Sequence, residues 1–257
     1  MSTPSLQAFR TRDWFLLKGD ESLRLDYPLS PESIVVDAGG YEGNFAQAIL
    51  DRYGSRIVVY EPIPAFAAAI GARFQHDARV TVIASGLAGQ SGEADLRLDG
   101  DASGASAKHG PLIACRMTRA SEAIESAGAV DLLKLNVEGA EYGILEDIIS
   151  SGAVARIRHI QVQFHDIAPD SFERMMALRA ALLRTHHPAW LFGFVWDSWT
   201  RREDATHDNV ALPAADLLRE RVARLEREVA LLTAQNRRRL GARLANLIRK
   251  VRAGTAN

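Results

Sequence analysis

The sequence predicts an α/β fold, a parallel sheet with helices on both faces, followed by a C-terminal coiled-coil helix. Three observations carry that expectation. Short apolar runs recur near 34–36, 57–60, 80–84, 131–135 and 157–164, and stretches of helical pattern separate them. Strands alternating with helices read as βαβ units, which set parallel strands side by side under crossover helices. The first apolar run ends at Asp37 and a glycine cluster, Gly39, Gly40 and Gly43, just before a helical stretch. Beyond Pro213 the pattern changes to leucines and valines at heptad spacing.

Length and composition bound the reading. The chain has 257 residues, 47% of them hydrophobic and 25% charged, which suits one globular domain with an appendage. A single cysteine, Cys115, excludes a disulfide framework and a cysteine-based zinc cluster, and suits a reducing compartment. No apolar run approaches the ~18 residues of a spanning helix, and the first residues are too polar for a signal peptide. A cytoplasmic location is therefore expected. Charge is uneven: residues 236–257 carry seven basic side chains and no acidic one, while residues 1–235 carry 24 basic against 32 acidic. An acidic body with a basic tail argues against nucleic acid as partner of the domain, because phosphates would be repelled.

Three regions follow: an N-terminal extension over 1–30, a domain over 31–210, and a helical tail over 214–252. Within the domain, the first strand lies at 34–36 and its helix at 45–50. The second strand, 57–60, ends at Glu61-Pro62 and precedes a helix over 64–75. The third strand is at 80–84, and residues 85–110 read as short strands and loops. A helix at 121–127, a fourth strand at 131–135, a helix at 139–150 and a fifth strand at 157–164 come next. A helix at 172–183 leads to a closing hairpin, with strands at 190–196 and 199–203. His186 and His187 then sit where a helix C-terminus favours cations.

The glycine loop names a ligand class. Gly39, Gly40, Tyr41 and Gly43 bring backbone close to whatever binds there. A dinucleotide fingerprint would need glycine at position 38, which is Ala38, and would set a diphosphate beside Asp37. S-adenosylmethionine has no phosphate and carries a sulfonium and an ammonium, so an aspartate at the strand tip suits it. Glu61, ending the second strand 24 residues after Asp37, can accept hydrogen bonds from both ribose hydroxyls.

The segment DLLKLNVEGAEYGILE at 131–146 resembles the FkbM family of S-adenosylmethionine-dependent methyltransferases, in which a strand ends in Lys-x-Asp-x-Glu-Gly-x-Glu. Lys134, Glu138, Gly139 and Glu141 match, and Asn136 stands where that family usually has aspartate. The likeness extends to VVDAGGYEGNFA at 35–46, YEP at 60–62 and IQVQFHD at 160–166, where Gln163 replaces a frequent glutamate. It spans roughly residues 20–205 and implies a Rossmann-like class I methyltransferase sheet acting on hydroxyls of sugars or natural products.

The fourth-strand motif has its own physics. Lys134 and Asn136 are two apart and share a strand face. Glu138 and Glu141 are three apart and are neighbours on a helix. Lys134 and Glu141 also carry the charges for an ion pair. The expected cofactor residues are Asp37, Gly39, Gly40, Tyr41, Gly43, Glu61 and Asn136, and the expected catalytic residues are His165, Lys134 and Glu138. His165, just past the fifth strand, is the first candidate for general base, with Asp166 beside it to orient it. With Asn136 and Gln163 in place of carboxylates, the oxygen set is thin for a divalent cation, and no metal is expected. Trp190, Trp196 and Trp199 suit either a sugar platform or hairpin packing, and 101–106 either an acceptor-side loop or a solvated turn.

In the tail, Leu218, Val222, Leu225, Val229 and Leu232 form an a/d seam, with Asn236 at the next a position. Leu240, Leu244, Leu247 and Val251 continue it after a stutter. Homo-oligomerisation through 218–251 is expected, and the basic end suits peripheral contact with an anionic inner membrane. The activity expected is O-methylation of a sugar or glycan hydroxyl in polysaccharide or lipopolysaccharide synthesis. A natural-product O-methyltransferase and a non-catalytic coiled-coil interaction protein are the alternatives.

Overall fold

The computed structural model describes residues 6–97 and 110–204. The expected acceptor-side loop at 101–106 and the coiled-coil seam at 218–251 lie outside the described residues. The chain divides into two units, and every described residue belongs to the first, Met1–Thr206. No helix among the described residues is long and apolar enough to cross a membrane.

Seven strands form the main sheet: β1 (Ile34–Ala38), β2 (Arg56–Tyr60), β3 (Val80–Ile83), β7 (Val130–Leu135), β8 (Ile157–Val162), β9 (His186–Phe192) and β10 (Trp196–Arg201). Their order is β3-β2-β1-β7-β8-β10-β9, with β3 through β8 parallel and β10 antiparallel to both of its neighbours. A smaller sheet of β4 (Gly86–Ala88), β5 (Gly92–Arg97) and β6 (Leu112–Arg119) has the order β4-β6-β5.

The central strands are apolar on both faces, as strands covered on both sides must be. Alternate residues therefore feed two cores. Val35, Ile57, Val59 and Leu132 pack with α2 (Asn44–Tyr53) and α3 (Pro64–Arg73). Val36, Tyr60, Leu133, Leu135, Ile160 and Val162 pack on the opposite face with α4 (Ala120–Ala127), α5 (Glu141–Ser150) and α6 (Ser171–Leu182). The expected Rossmann-like sheet with helices on both faces is what forms.

The strand order reverses between β1 and β7, and open α/β sheets bind ligands beyond the strand C-termini at such a switch point. Asp37 pairs in register with Lys134, Lys134 with Gln161, and Gln161 with Ser198. These four buried polar residues form one row across four strands, on the α2 side of the sheet.

Three expectations are corrected. From residue 6 on, the N-terminal segment is part of the domain: α1 (Leu6–Leu16) seats Trp14 against Phe192, Val195 and Trp196. The hairpin turns at Gly193-Phe194, with Val195 N–H donating to Phe192 O, and not at Asp197-Ser198. Asp197 and Ser198 are turn formers by composition, yet here each has a partner inside the sheet. The Arg179 guanidinium meets Asp197 twice, at 2.8 and 2.7 Å, and Ser198 Oγ lies 2.9 Å from Tyr27 Oη. His186 and His187 open β9 and do not cap α6, which ends at Leu182; His186 is buried, with Nε2 3.1 Å from Ile157 O. Trp196 and Trp199 are core residues, and Trp190 packs 5.5 Å from Trp14, so the tryptophans hold the hairpin together.

Candidate active site

The glycine loop runs from the end of β1 to the start of α2. Gly39 sits at φ +81°, and a Cβ there would lie 1.9 Å from Asn136 O, so only glycine lets β1 and β7 approach this closely. A Cβ on Gly40 would meet Val59 Cγ1 at 2.3 Å. Gly43, at φ +78°, is the residue that caps α2.

Lys134 fastens this loop from below. Its side chain is 3% exposed, and Nζ donates to Asp37 Oδ1 at 2.8 Å, Ala38 O at 3.2 Å and Gly39 O at 2.7 Å. An ammonium has three donors, and all three are used. Burial pulls the Lys134 ammonium below its usual range, and Asp37 pulls the other way. The ion pair is thus Lys134–Asp37; the alternative of a structural Lys134–Glu141 pair does not form, because parallel register sets Lys134 directly beside Asp37.

Asp37 and Asn136 each bring a buried atom with no partner among the described residues, Oδ2 and Oδ1 respectively. Buried polar atoms in native proteins are normally satisfied, so orphaned acceptors at a strand tip point to a donating ligand. Glu61 lies at the C-terminal end of β2, its carboxylate accepting Tyr41 N–H and Ile63 N–H, both at 2.9 Å. Burial raises the Glu61 pKa, against the two backbone donors. The Tyr41 ring meets Phe66 edge-on at 4.9 Å. Three loop amides are engaged inside the protein, Gly39 N–H by Tyr60 O, Tyr41 N–H by Glu61 and Gly43 N–H by Gly40 O. With those amides taken, the acceptors that the strand tips leave open are Asp37 Oδ2 and Asn136 Oδ1. That suits a cationic ligand with a diol, and it is unsuited to a diphosphate. The residues present fit S-adenosylmethionine, with Asp37, Asn136 and Glu61 as the acceptors that would hold it.

A second cluster lies just past β7 and β8. His165 Nε2 is 3.2 Å from Glu138 Oε1, and Nδ1 is 3.1 Å from Glu141 Oε1. Glu141, fully buried, also accepts His165 N–H and Gly139 N–H, each at 2.8 Å. Glu138 is held at φ +49°, and Tyr142 Oη donates to His165 O at 2.8 Å. Both ring nitrogens can donate only when the imidazole is protonated. Burial pulls the His165 pKa down, but hydrogen bonds and charge from Glu138 and Glu141 outweigh it and set the pKa at about 9. With both ring nitrogens facing carboxylates and the pKa raised, His165 is placed as a donor to Glu138 and Glu141 rather than as an open proton acceptor. Asp166 does not orient it either; its carboxylate accepts from Arg10 Nη1 at 2.8 Å. Among the described residues, no group of three or more His, Cys, Asp or Glu is arranged to hold a metal ion.

The raised His165 pKa has a consequence for stability. A group whose pKa rises on folding stabilises fully below its unfolded value and ceases to as pH passes the folded one. The window runs from about 6.5 to about 9. Urea unfolding of the wild type should lose up to about 3 kcal/mol between pH 6 and 9.5 relative to His165→Gln, the equivalent of the pKa displacement. Parallel pH dependences for the two proteins would refute the placement of His165 between its carboxylates.

Sequence reasoning brought out Asp37, the glycines, Glu61 and Asn136 around one strand tip and Glu138 near His165, and the structure brings each set together. It missed Arg24, Tyr27 and Gln161. Gln161 left a trace, being polar at alternate positions with His159 inside an apolar strand. Arg24 left none.

The fold and the loop define an S-adenosylmethionine-dependent methyltransferase. Residues 37–187 match the family model described as the methyltransferase FkbM domain, and the chain belongs to that family. No curated protein matches. Among solved structures, Aeropyrum pernix fibrillarin with natively bound S-adenosyl-L-methionine is 14% identical with a TM-score of 0.42, the match covering 72% of each chain. An S-adenosylhomocysteine-bound methyltransferase from Podospora anserina is 14% identical with a TM-score of 0.40, covering 78% of this chain and 80% of that one. An rRNA methylase from Streptococcus thermophilus is 12% identical with a TM-score of 0.43, covering 72% and 94%.

Proposed function

We propose that the chain O-methylates a hydroxyl of a sugar or glycan, with the Glu138–His165–Glu141 cluster receiving the acceptor. The observation that carries this reading is that cluster. Two carboxylates gathered around one imidazole make a cluster rich in hydrogen-bond acceptors. Such a group suits a polyhydroxylated acceptor, which offers hydrogen-bond donors. The acidic body disfavours a phosphodiester acceptor.

The cofactor supplies a methyl group on a sulfonium. A neutral hydroxyl that gains a carbon substituent becomes strongly acidic, so a carboxylate beside it can take its proton. Glu138 fills that role. His165 positions Glu138 by donating to it, and Lys134 positions the glycine loop. Ile167, 50% exposed and set against Gly139, gives the rim an apolar side, which favours a natural-product acceptor as the second reading.

Transfer of labelled methyl from S-adenosylmethionine to a panel of oligosaccharides, nucleotide sugars, phenolic and macrolide compounds and ribosomal RNA tests the acceptor class. Label in carbohydrate is expected; label confined to RNA or to phenols refutes the sugar reading. With the best acceptor, Glu138→Gln should lower turnover about 10²-fold or more and leave S-adenosylhomocysteine affinity nearly unchanged. Turnover of the wild type should not rise through pH 9. A rate climbing there would return the proton to His165.

A further inference from the structure

Residues 19–27 lie as a strap over the Gln161–Ser198 end of the polar row on the sheet. Tyr27 Oη accepts from Gln161 Nε2 at 3.0 Å and lies 2.9 Å from Ser198 Oγ. Arg24 is clamped reciprocally to the fully buried Gln161: its Nε donates to Gln161 Oε1 at 3.2 Å, and its carbonyl accepts from Gln161 Nε2 at 2.9 Å. Its guanidinium stacks over Trp196 at 4.1 Å and approaches Phe45, in the first turn of α2, at 5.5 Å. Lys134 Nζ lies 5.6 Å from the same Phe45 ring. Arg24 Nη1 donates to Asp20 at 3.0 Å, while Nη2 has no acceptor among the described residues; the side chain is 18% exposed.

The charges at the strand C-termini are ordered. Glu61 stands at β2, the orphaned Asp37 Oδ2 at β1, and the Arg24 guanidinium above β8. Lys134 adds no recognition, because its donors are all engaged. A ligand crossing this edge meets an acceptor for a diol, an acceptor for a cation, and then a donor for an anion. S-adenosylmethionine presents a ribose diol, an ammonium and a carboxylate.

We propose that Arg24 is a cofactor-binding residue, its guanidinium taking the carboxylate of the cofactor's amino-acid end while Asp37 Oδ2 takes the ammonium. This assignment rests on the reading of the glycine loop as the cofactor site. The clamp to Gln161 and the stack on Trp196 hold the guanidinium in place before the ligand arrives, so little rotamer freedom is lost on binding. Arginine suits the task because Nε and Nη1 can fix the side chain while Nη2 remains to donate to a carboxylate. The N-terminal strap thereby becomes part of the cofactor site.

Calorimetry on the full chain tests this with two ligands. S-adenosylhomocysteine carries the amino-acid end, and 5′-methylthioadenosine lacks it. Arg24→Gln should weaken S-adenosylhomocysteine about 10- to 100-fold, the range for a hydrogen-bonded charge, and change 5′-methylthioadenosine less than about threefold. Arg24→Lys, which keeps the charge, should recover part of the loss. Equal loss for both ligands would make Arg24 a strap residue only and overturn the assignment, as would no loss for either. Failure of the wild type to bind either ligand would overturn the reading of the loop itself, a result distinct from any effect of Arg24.

Discussion

Lys134→Met is expected to destabilise the protein by about 3–5 kcal/mol, the range for removing one partner of a buried ion pair. Methionine keeps the length of the side chain and supplies none of its charge. Asp37, fully buried, would then hold a carboxylate with neither oxygen partnered, and the carbonyls of Ala38 and Gly39 would lose their donor. The damage falls on the backbone of the glycine loop, so S-adenosylhomocysteine binding should be lost along with stability. Asp37→Asn with Lys134→Met should recover part of the stability, because no uncompensated charge remains, and part of none of the binding, because Asp37 Oδ2 is gone. Urea unfolding of the two single variants and the double variant gives the coupling between the residues. A loss below about 1 kcal/mol for Lys134→Met would place this pair among the weak surface-like ones and remove Lys134 as the fastening of the loop.

How far the sequence reaches is clear from this same pair. Asp37 and Lys134 were each legible as strand-tip residues, because apolar runs ending in polar residues mark the C-terminal edge of a parallel sheet. That they face each other was not, since 97 residues separate them and only the β1–β7 register joins them. The charge on Lys134 suggested an ion pair, and Glu141, seven residues on in the same motif, was the wrong partner. The glycine loop and Glu61 were legible because their chemistry is local: a strand, a turn that needs glycine, and an acid at the end of the next strand. The two-sided packing was legible too, from apolar runs with no polar alternation. His165 was visible as a histidine past a strand, but its protonation depends on two carboxylates placed by separate elements. The expected strands, 190–196 and 199–203, left Asp197 and Ser198 between them; Arg179 and Tyr27, distant in sequence, supply the partners that put them inside the sheet. The N-terminal strap gave no periodic signal, and its placement depends on Gln161 and the tryptophans of the hairpin.

Gly39→Ala should be the most damaging single-methyl change in the loop. Two effects act together. The residue sits at φ +81°, which costs an L side chain roughly 1–2 kcal/mol. Its new Cβ would also lie 1.9 Å from the backbone carbonyl of Asn136, a fixed neighbour that cannot rotate away. Relief requires the tips of β1 and β7 to separate, which strains the Asn136 N–H to Ala38 O bond and the Lys134 bond to Gly39 O. The sum is about 4 kcal/mol, within the tail reserved for backbone strain and broken buried networks. In a domain of this size that corresponds to a fall in Tm of roughly 8–16 °C. Gly43→Ala is the matched control. It has nearly the same φ, +78°, but its Cβ meets only the Phe74 ring at 3.1 Å and Ile70 at 3.4 Å, side chains that can shift by tenths of an ångström. Its loss should stay near the conformational cost alone, about 1–2 kcal/mol, or roughly 2–8 °C. Thermal unfolding of both variants, with and without S-adenosylhomocysteine, separates the close approach from the backbone conformation. Ligand should stabilise Gly43→Ala and the wild type alike and leave Gly39→Ala unmoved, because the loop that Gly39 lets fold against β7 is the one that carries Asp37 to the ligand. Equal melting temperatures and equal ligand responses for the two variants would mean that β1 and β7 tolerate separation, and that the loop does not depend on their contact.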